Sequence, residues 1–259
     1  MKRMQERRRS MKEKMNKIPV FYACDDNFVK YTMVSLQSMM DHASKEAQYE
    51  IHVLHTNISE EMQKKMHAME NANFSVQFDH VTEYLHSIQE KLPLRDYYSK
   101  TTYFRLFIAE MFPEIDKAIY IDSDTVVLGD IAQLYAYDLG DAYVGACREQ
   151  VMIQEEVYGT YVEKVLGVER DNYFNAGMLV INCEQFRKNH VLEQFMELLP
   201  MYNFVVTQDE DYLNLICHNK VCWLPQKWNV EVFGQIPCRE EEICVLHYIM
   251  VSKPWHYSD

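Results

Sequence analysis

The sequence predicts an α/β protein with a mostly parallel central sheet and helices on both of its faces. Three observations support this fold class. Apolar segments of strand length alternate with segments of helical apolar spacing, which is the arrangement that a parallel sheet requires. The chain has 259 residues, about the upper size of one α/β domain. No internal repeat or low-complexity linker divides it, so we expect one domain.

The predicted elements follow in order along the first half of the chain. Strands are expected where short apolar runs end in polar residues, and helices where apolar residues recur every three or four positions. The predicted strands are Ile18–Ala23, Tyr49–His55, Phe74–Phe78 and Ala118–Ile121. The predicted helices are Tyr31–Met40, a helix capped by Ser59 with acids in its first turn, and Thr101–Met111, which Pro113 ends.

Charge and composition exclude several function classes. The formal net charge is −13, which makes the protein a poor binder of nucleic acid. No apolar run approaches the length of a membrane span, and no signal-peptide core is found near the start. The seven cysteines are an odd number without the close C-x2-C spacing of zinc sites. We therefore expect a reduced, cytoplasmic protein with free thiols.

Glycine is scarce, which limits how a nucleotide could be bound. The chain has seven glycines, and the first of them is Gly129. A G-x-G-x-x-G motif after an N-terminal strand is therefore excluded, and no Walker phosphate loop occurs anywhere. Any nucleotide must be held in another way.

The first seventeen residues differ in charge from the rest of the chain. Residues 1–17 contain eight lysines and arginines and two glutamates. We expect a solvated basic helix or tail there, followed by a single domain over residues 18–259. The alternative is a weak anchor to anionic lipid or to an acidic partner, which would give at most peripheral contact with the inner face of a membrane.

The strongest local signal for chemistry is the sequence Asp122-Ser123-Asp124, directly after a predicted buried strand. Residues i and i+2 of an extended chain point to the same side, and ligands of open α/β sheets bind at the carboxyl ends of strands. Two adjacent carboxylates repel each other unless a cation lies between them, and oxygen ligands suit Mg²⁺ or Mn²⁺. The alternative is a polar turn in which Asp122 caps backbone amides.

The same residues also fit the haloacid-dehalogenase phosphatases. In that family the first Asp of an h-h-h-D-x-D motif is a nucleophile, and the second is a general acid. The motif normally occupies the first strand of the domain, whereas 121 residues precede Asp122 here. This position counts against a phosphatase.

Two further segments are candidates with ordinary structural explanations. Asp209-Glu210-Asp211 is typical of a solvated helix start, where acids favour the helix dipole. His247 follows an apolar pair, as a histidine in the core often does. Lys253 is a cation close to it in an acidic protein and could serve a phosphate.

Taken together, these segments resemble glycosyltransferase family 8, the retaining sugar-nucleotide transferases that include lipopolysaccharide galactosyltransferases and glycogenin. The resemblance runs from about Ile18 to Trp255. The motifs that carry it, in chain order, are Phe21-Tyr22-Ala23-Cys24-Asp25-Asp26-Asn27-Phe28, Thr102-Tyr103-Phe104-Arg105-Leu106, Asp122-Ser123-Asp124, Tyr173-Phe174-Asn175-Ala176-Gly177, the acidic segment with Leu213-Asn214, and His247 with Lys253-Pro254-Trp255.

The resemblance implies a GT-A fold and a role for each matching residue. Manganese, or possibly magnesium, would be held by Asp122, Asp124 and His247, and Ser123 would lie in the donor site between the two acids. Lys253 would contact the diphosphate. Uridine would be held by Ala23, Asp25, Asn27 and Phe28. The ribose or donor sugar would contact Arg105, Asn175, Ala176 and Asp209.

Three departures from the family pattern concern the donor site. Phe28 replaces a common tyrosine, which keeps the stacking surface and loses a hydroxyl. Glu210 replaces the glutamine that lies beneath the anomeric carbon, so it could be a nucleophile, stabilise an oxocarbenium-like state, or be a tolerated change. Met250 replaces a glycine near the phosphates.

The sequence thus predicts a metal-dependent, retaining hexosyltransferase that uses UDP-glucose or UDP-galactose and a glycan acceptor, with Glu210 and Asp209 as catalytic candidates. Two alternatives remain at this point. One is the phosphatase, and the other is a UDP-sugar-binding protein without turnover, which Met250 favours.

Overall fold

The computed structural model describes residues 17–86, 100–204, 206–251 and 253–257. The predicted basic segment lies outside these residues, except for Lys17, where the first strand begins. The strands are β1 Lys17–Ala23, β2 Gln48–His55, β3 Phe74–His80, β4 Lys117–Ile121, β5 Thr125–Val127, β6 Val144–Arg148, β7 Phe174–Asn182, β8 Val221–Trp223, β9 Val230–Glu231 and β10 Val245–His247.

Helices connect these strands. They are α1 Val29–His42, α2 Glu60–His67, α3 Thr82–His86, α4 Ile108–Met111, α5 Ile131–Tyr135, α6 Gln150–Gln154, α7 Glu156–Tyr161, α8 Cys183–Lys188, α9 Val191–Leu198 and α10 Asp209–Cys217. A π-helical turn covers Val162–Leu166. Short 3₁₀ helices cover Lys100–Phe107, Arg170–Asn172, Gln226–Trp228, Glu240–Glu242 and Pro254–His256.

The large sheet has seven strands in the order β3-β2-β1-β4-β7-β6-β8. Four of its pairs are parallel, and β7 runs antiparallel to both of its neighbours, β4 and β6. The predicted mostly parallel sheet flanked by helices is therefore confirmed, with one reversed interior strand, β7. A second sheet of three short strands has the order β5-β10-β9.

Apolar side chains pack against both faces of the large sheet, because successive residues of a strand point to opposite sides. Phe21, Tyr120 and Leu179 belong to the core on one face. The adjacent residues Val20 and Val180 belong to the core on the other face. A sheet buried on both faces explains why its strands read as continuous apolar runs in the sequence.

Two local predictions can be compared in detail. The helix predicted over Thr101–Met111 is present, as a 3₁₀ helix up to Phe107 and as an α-helix from Ile108. Threonine and aromatic residues favour the α-helix weakly. Ser59 does precede α2, but its hydroxyl makes no capping bond, since it donates to Asp26 Oδ1 at 2.8 Å.

Candidate active site

The acidic pair lies where β4 ends and β5 begins. The Asp122 backbone N–H donates to the Gly177 carbonyl on β7 at 2.7 Å, and the Thr125 hydroxyl donates to the Asp122 carbonyl at 2.9 Å. The Ser123 hydroxyl hydrogen-bonds the Thr32 hydroxyl of α1 at 2.7 Å. The turn is therefore tied to the sheet on one side and to α1 on the other.

The small sheet brings His247 to this turn. Strand β10 runs antiparallel to β5, and His247 is paired with Thr125. The next residue, Tyr248, donates its backbone N–H to the Asp124 carbonyl at 2.9 Å. Backbone pairing thus brings together side chains that are far apart in the sequence.

Asp122, Asp124 and His247 form a cluster with the geometry of a metal site. One ligand atom from each lies within 4.8 Å of the others. His247 Nε2 is 3.3 Å from Asp124 Oδ1 and 3.9 Å from Asp122 Oδ2. Asp124 Oδ1 is buried and has no hydrogen-bond donor among the described residues. A buried carboxylate oxygen without a donor facing an imidazole nitrogen fits a divalent cation.

Gly177 leaves the space that this cluster needs. A Cβ atom at this position would collide with the His247 ring and lie 2.7 Å from Asp122 Oδ2. The glycine of the Asn-Ala-Gly sequence is therefore required by the close approach of the histidine ring to β7.

Lys253 lies on the other side of Asp124. Its ammonium donates to Asp124 Oδ2 and to the Tyr248 carbonyl. Burial alone would raise the pKa of Asp124, but His247 and Lys253 outweigh burial and hold that pKa well below its usual range. Asp124 is therefore ionised at neutral pH and available as a ligand.

Arg105 is buried, and its guanidinium contacts several groups of the protein. Its Nη2 lies 3.2 Å from Asp122 Oδ1 and its Nε 3.0 Å from Asp209 Oδ2. It also donates to the Ala176 carbonyl and covers the Tyr120 ring at 4.4 Å. Arg105, predicted to contact the ribose or the donor sugar, thus links the end of β4 to β7 and α10 around Asp122.

The residues predicted to hold uridine lie at the end of β1 and in the loop that follows it. Ala23 ends the strand, and Asp25 Oδ1 accepts the backbone N–H groups of Asn27 and Phe28 at 2.9 and 3.0 Å. The Phe28 ring is 40% exposed. It packs edge-on against Tyr31 and Trp255, which stack on each other with centroids 3.7 Å apart. Asp25 shapes this loop, and Phe28 keeps an open face.

The acidic segment at the start of α10 is buried, which the interpretation as a solvated helix start did not anticipate. Asp209, Glu210 and Asp211 are 3%, 8% and 0% exposed. Burial raises the pKa of Asp209 to about 6, although Arg105 opposes this. Glu210 Oε2 accepts the Ala176 N–H at 2.6 Å. Burial, and next the nearby Glu149, raise the pKa of Glu210 well above its usual value.

Two glutamates next to this segment were not predicted as site residues from the sequence. Glu149 follows β6 and accepts a hydrogen bond from Asn175 Nδ2. Glu231 ends β9 and accepts the Gln150 N–H with both oxygens at 3.1 and 3.0 Å. Burial, and then Glu149, raise the pKa of Glu231 well above its usual value. The position of Glu149 after a buried strand was a usable signal, whereas a two-residue strand gives none for Glu231.

Met250 occupies a conformation that favours glycine. Its φ is +59°, in the left-handed region that costs a side chain with a Cβ about 1–2 kcal/mol. Its side chain is 48% exposed. The departure from the family's glycine therefore coincides with real backbone strain, in the segment that leads to Lys253.

Comparison with known proteins identifies the family. The model of the family described as "Glycosyl transferase family 8" matches residues 19–259. This match confirms the resemblance drawn from the motifs and argues against the phosphatase alternative. Among the described residues, no helix is both long and apolar enough to cross a bilayer.

Individual relatives agree with the family. The galactosyltransferase LgtC, solved in complex with donor and acceptor sugar analogues, is 26% identical, with a TM-score of 0.76 over 92% of this chain and 90% of its own. The WbbM bifunctional glycosyltransferase is 26% identical, with a TM-score of 0.79, and this chain spans 47% of it. The lipopolysaccharide 1,3-galactosyltransferase of Salmonella typhimurium is 24% identical over 93% of this chain and 74% of its own.

Proposed function

Because the chain belongs to glycosyltransferase family 8, we propose that it transfers glucose or galactose from a UDP-sugar to a glycan acceptor, with retention of anomeric configuration. The observation that carries this proposal is the convergence of Asp122, Asp124 and His247 at the carboxyl end of β4. Lys253 adds a positive charge beside them.

We propose that these three ligands hold Mn²⁺, with Mg²⁺ as the alternative. A divalent cation bound there supplies charge neutralisation for the donor diphosphate and for the leaving group. Carboxylate oxygens suit Mn²⁺ and Mg²⁺, and Mn²⁺ accepts an imidazole nitrogen more readily than Mg²⁺ does. Arg105 keeps Asp122 in place, since it contacts that carboxylate and Asp209 together.

The nucleotide half of the donor has a surface of its own. We assign the open face of Phe28 to stacking on uracil, and the loop formed by Ala23, Asp25 and Asn27 to the rest of uridine. Trp255 touches Phe28 and follows Lys253 by two residues. The base contact and the diphosphate contact thus belong to one packed unit.

The sugar half would lie beside Asn175, Ala176 and Glu210. We place Glu210 beneath the anomeric carbon, as the resemblance implies, with its carboxyl oriented by the Ala176 N–H. A neutral Glu210 would orient the sugar by hydrogen bonding. The ionised form would stabilise positive charge on the ring or act as the nucleophile.

The acceptor is proposed from the relatives. The named ones include a lipopolysaccharide 1,3-galactosyltransferase of Salmonella typhimurium and a lipopolysaccharide 1,2-glucosyltransferase of Escherichia coli. We therefore propose a cell-surface glycan as acceptor, modified at the cytoplasmic side where UDP-sugars are made. Peripheral membrane contact through the basic N-terminal segment remains a prediction.

Calorimetric titration of UDP tests the donor site. We expect micromolar binding with Mn²⁺ and a large loss with EDTA. Asp122→Asn should lose metal and UDP affinity together. Asp41→Asn, a surface change at a side chain that accepts from Gln37, should bind as the wild type does. Failure to bind UDP under either condition would refute the proposal.

Product stereochemistry tests the reaction. NMR of the product formed from an α-linked UDP-sugar should show an α-linkage. A β-linkage would contradict retention.

A second candidate function is a UDP-sugar-binding protein without turnover. The strained Met250 backbone favours it, because glycine there would allow close approach of the backbone to the phosphates. Metal-dependent UDP binding without hydrolysis or transfer across a panel of UDP-sugars would select this candidate.

A further inference from the structure

Behind the three proposed ligands lie two buried asparagines on different strands. Asn175 is on β7 and is 5% exposed, and Asn229 directly precedes β9 and is fully buried. The family resemblance assigns a donor contact to Asn175 and nothing to Asn229. The hydrogen bonds of this pair determine which nitrogen of His247 faces the metal site.

The orientation of the Asn175 amide is fixed by a backbone N–H, which can only donate a hydrogen bond. The backbone N–H of Gly177 donates to Asn175 Oδ1 at 2.9 Å. On the other end of the amide, Asn175 Nδ2 donates to the Glu149 carboxyl. A backbone N–H is always a donor, so the atom that it meets is the amide oxygen and a flipped Asn175 is excluded.

That orientation fixes Asn229 in turn. Asn229 Nδ2 donates to Asn175 Oδ1 at 2.7 Å. The remaining atom of the Asn229 amide, Oδ1, faces His247 Nδ1 at 3.1 Å. An amide oxygen only accepts, so the hydrogen of His247 must be on Nδ1.

The other ring nitrogen then points to the acids. His247 Nε2 lies 3.3 Å from Asp124 Oδ1 and 3.9 Å from Asp122 Oδ2. With the hydrogen on Nδ1, neutral His247 presents a lone pair at Nε2. This lone pair and the two carboxylates converge on one point.

We propose that Asn229 is a positioning residue that holds His247 in the Nδ1–H tautomer, so that Nε2 is open toward a divalent cation. The backbone N–H of Gly177 sets the donor and acceptor direction of this series of hydrogen bonds, through Asn175 and Asn229 to His247. Metal-bound histidines commonly donate their second N–H to such a partner, and loss of the partner costs about 10–100-fold in metal affinity. This inference rests on the proposed metal-dependent function.

The first test needs no metal. Long-range ¹H–¹⁵N correlation NMR of the metal-free protein at about pH 9, where an ordinary histidine is neutral, reports the tautomer of each ring. His247 is assigned by its loss in His247→Gln. We expect the Nδ1–H pattern. An Nε2–H pattern would overturn the proposal, whether or not any variant folds.

The second test measures Mn²⁺ affinity by titration followed by electron paramagnetic resonance. Asn229→Leu removes the acceptor and should weaken binding about 10–100-fold. Asn229→Asp keeps an oxygen for Nδ1–H and should recover most of that loss. The control is Asn182→Leu, because Asn182 also donates two hydrogen bonds to backbone carbonyls, at 3.3 and 3.0 Å, but lies at the far end of β7. It should cost stability and leave Mn²⁺ affinity unchanged.

The outcomes separate this inference from the proposed function. If the wild type binds no Mn²⁺, the proposed function fails, while the tautomer measurement still decides what Asn229 does. If the wild type binds Mn²⁺ and Asn229→Leu binds it equally well, the positioning role is refuted.

Discussion

Two groups of acids lie on either side of the Asn175–Gly177 segment, and they differ in burial and in whether a lysine or arginine contacts them. The first group, Asp122 and Asp124, is in contact with Arg105, Lys253 and His247. The second group consists of Glu149, Glu210 and Glu231, all 8% exposed or less. No lysine or arginine forms an ion pair with this second group among the described residues.

The difference teaches how one fold can shift the pKa values of its acids in opposite directions. Positive partners hold the pKa of Asp124 low, so this carboxylate is ionised at neutral pH. Burial without a lysine or arginine partner raises the pKa of Glu210 and of Glu231, so these two carboxyls keep their protons to a higher pH.

The largest expected effect comes from removing the buried cation of the first group. Arg105→Met leaves Asp122 and Asp209 without their partner and should cost about 3–5 kcal/mol in urea unfolding. Arg187→Met is the matched control, because Arg187 also joins two carbonyls and a carboxylate, but its partner Asp116 is 78% exposed. We expect it to cost about 1–2 kcal/mol. Equal losses of unfolding free energy in the two variants would show that burial of the ion pair does not increase the cost of removing the arginine.

A smaller effect should follow from neutralising the second group. Glu210→Gln keeps an acceptor for the Ala176 N–H and removes a buried ionisable group. In the unfolded chain the Glu210 carboxyl ionises near pH 4.5, whereas in the folded protein its pKa is well above this value. The stability of the wild type therefore falls as pH rises between these two values. The variant should be more stable at pH 8 by about 1 kcal/mol.

Thermal unfolding between about pH 5 and 8 measures this difference. It should grow as pH rises. Glu61→Gln is the control, because its carboxyl is 77% exposed and a hydrogen bond with Lys65 lowers its pKa. A gap for Glu210→Gln that stays constant or shrinks with rising pH would show that Glu210 is ionised in the folded protein.

The smallest effect concerns the loop that brings Lys253 to Asp124. Met250→Gly relieves a left-handed backbone but adds flexibility to the unfolded chain, so a net gain of up to about 1 kcal/mol is expected. His190→Gly, at φ +54° and remote from the site, should gain a similar amount. Only Met250→Gly should tighten UDP binding, by a factor of about 2–10. Unchanged UDP affinity would mean that residue 250 does not limit approach to the phosphates.

Much of the fold could be predicted because its strands are buried on both faces. Apolar runs such as Ile18–Ala23 and Ala118–Ile121 mark β1 and β4 directly, within one residue of their observed bounds. The reversed direction of β7 leaves no such mark, since a buried strand has the same composition in either direction. The helix over Thr101–Met111 was predicted without its type, because 3₁₀ and α-helices share similar spacing over a few residues.

The candidate site also has a part that could be predicted from the sequence and a part that could not. Asp122 and Asp124 were predicted as a cation site from their i, i+2 spacing after a strand, whereas His247 was added only by the family resemblance. The small sheet that brings these residues together has strands of two or three residues, too short for a periodic signal. Asn229 and Glu231 belong to it and were missed for that reason. The burial of Asp209–Asp211 depends on contacts with β7 that local composition does not encode.

The pairing of β5 with β10 also has a consequence for folding. Lys253 and Asp124 are 129 positions apart in the chain, whereas paired residues are 31 positions apart between β1 and β2 and 25 between β2 and β3. Contacts between distant segments carry the larger loop-closure cost and tend to form late. A growing or refolding chain can therefore pair β1, β2 and β3 before His247 and Lys253 arrive, so we expect the proposed metal site to be completed late in folding.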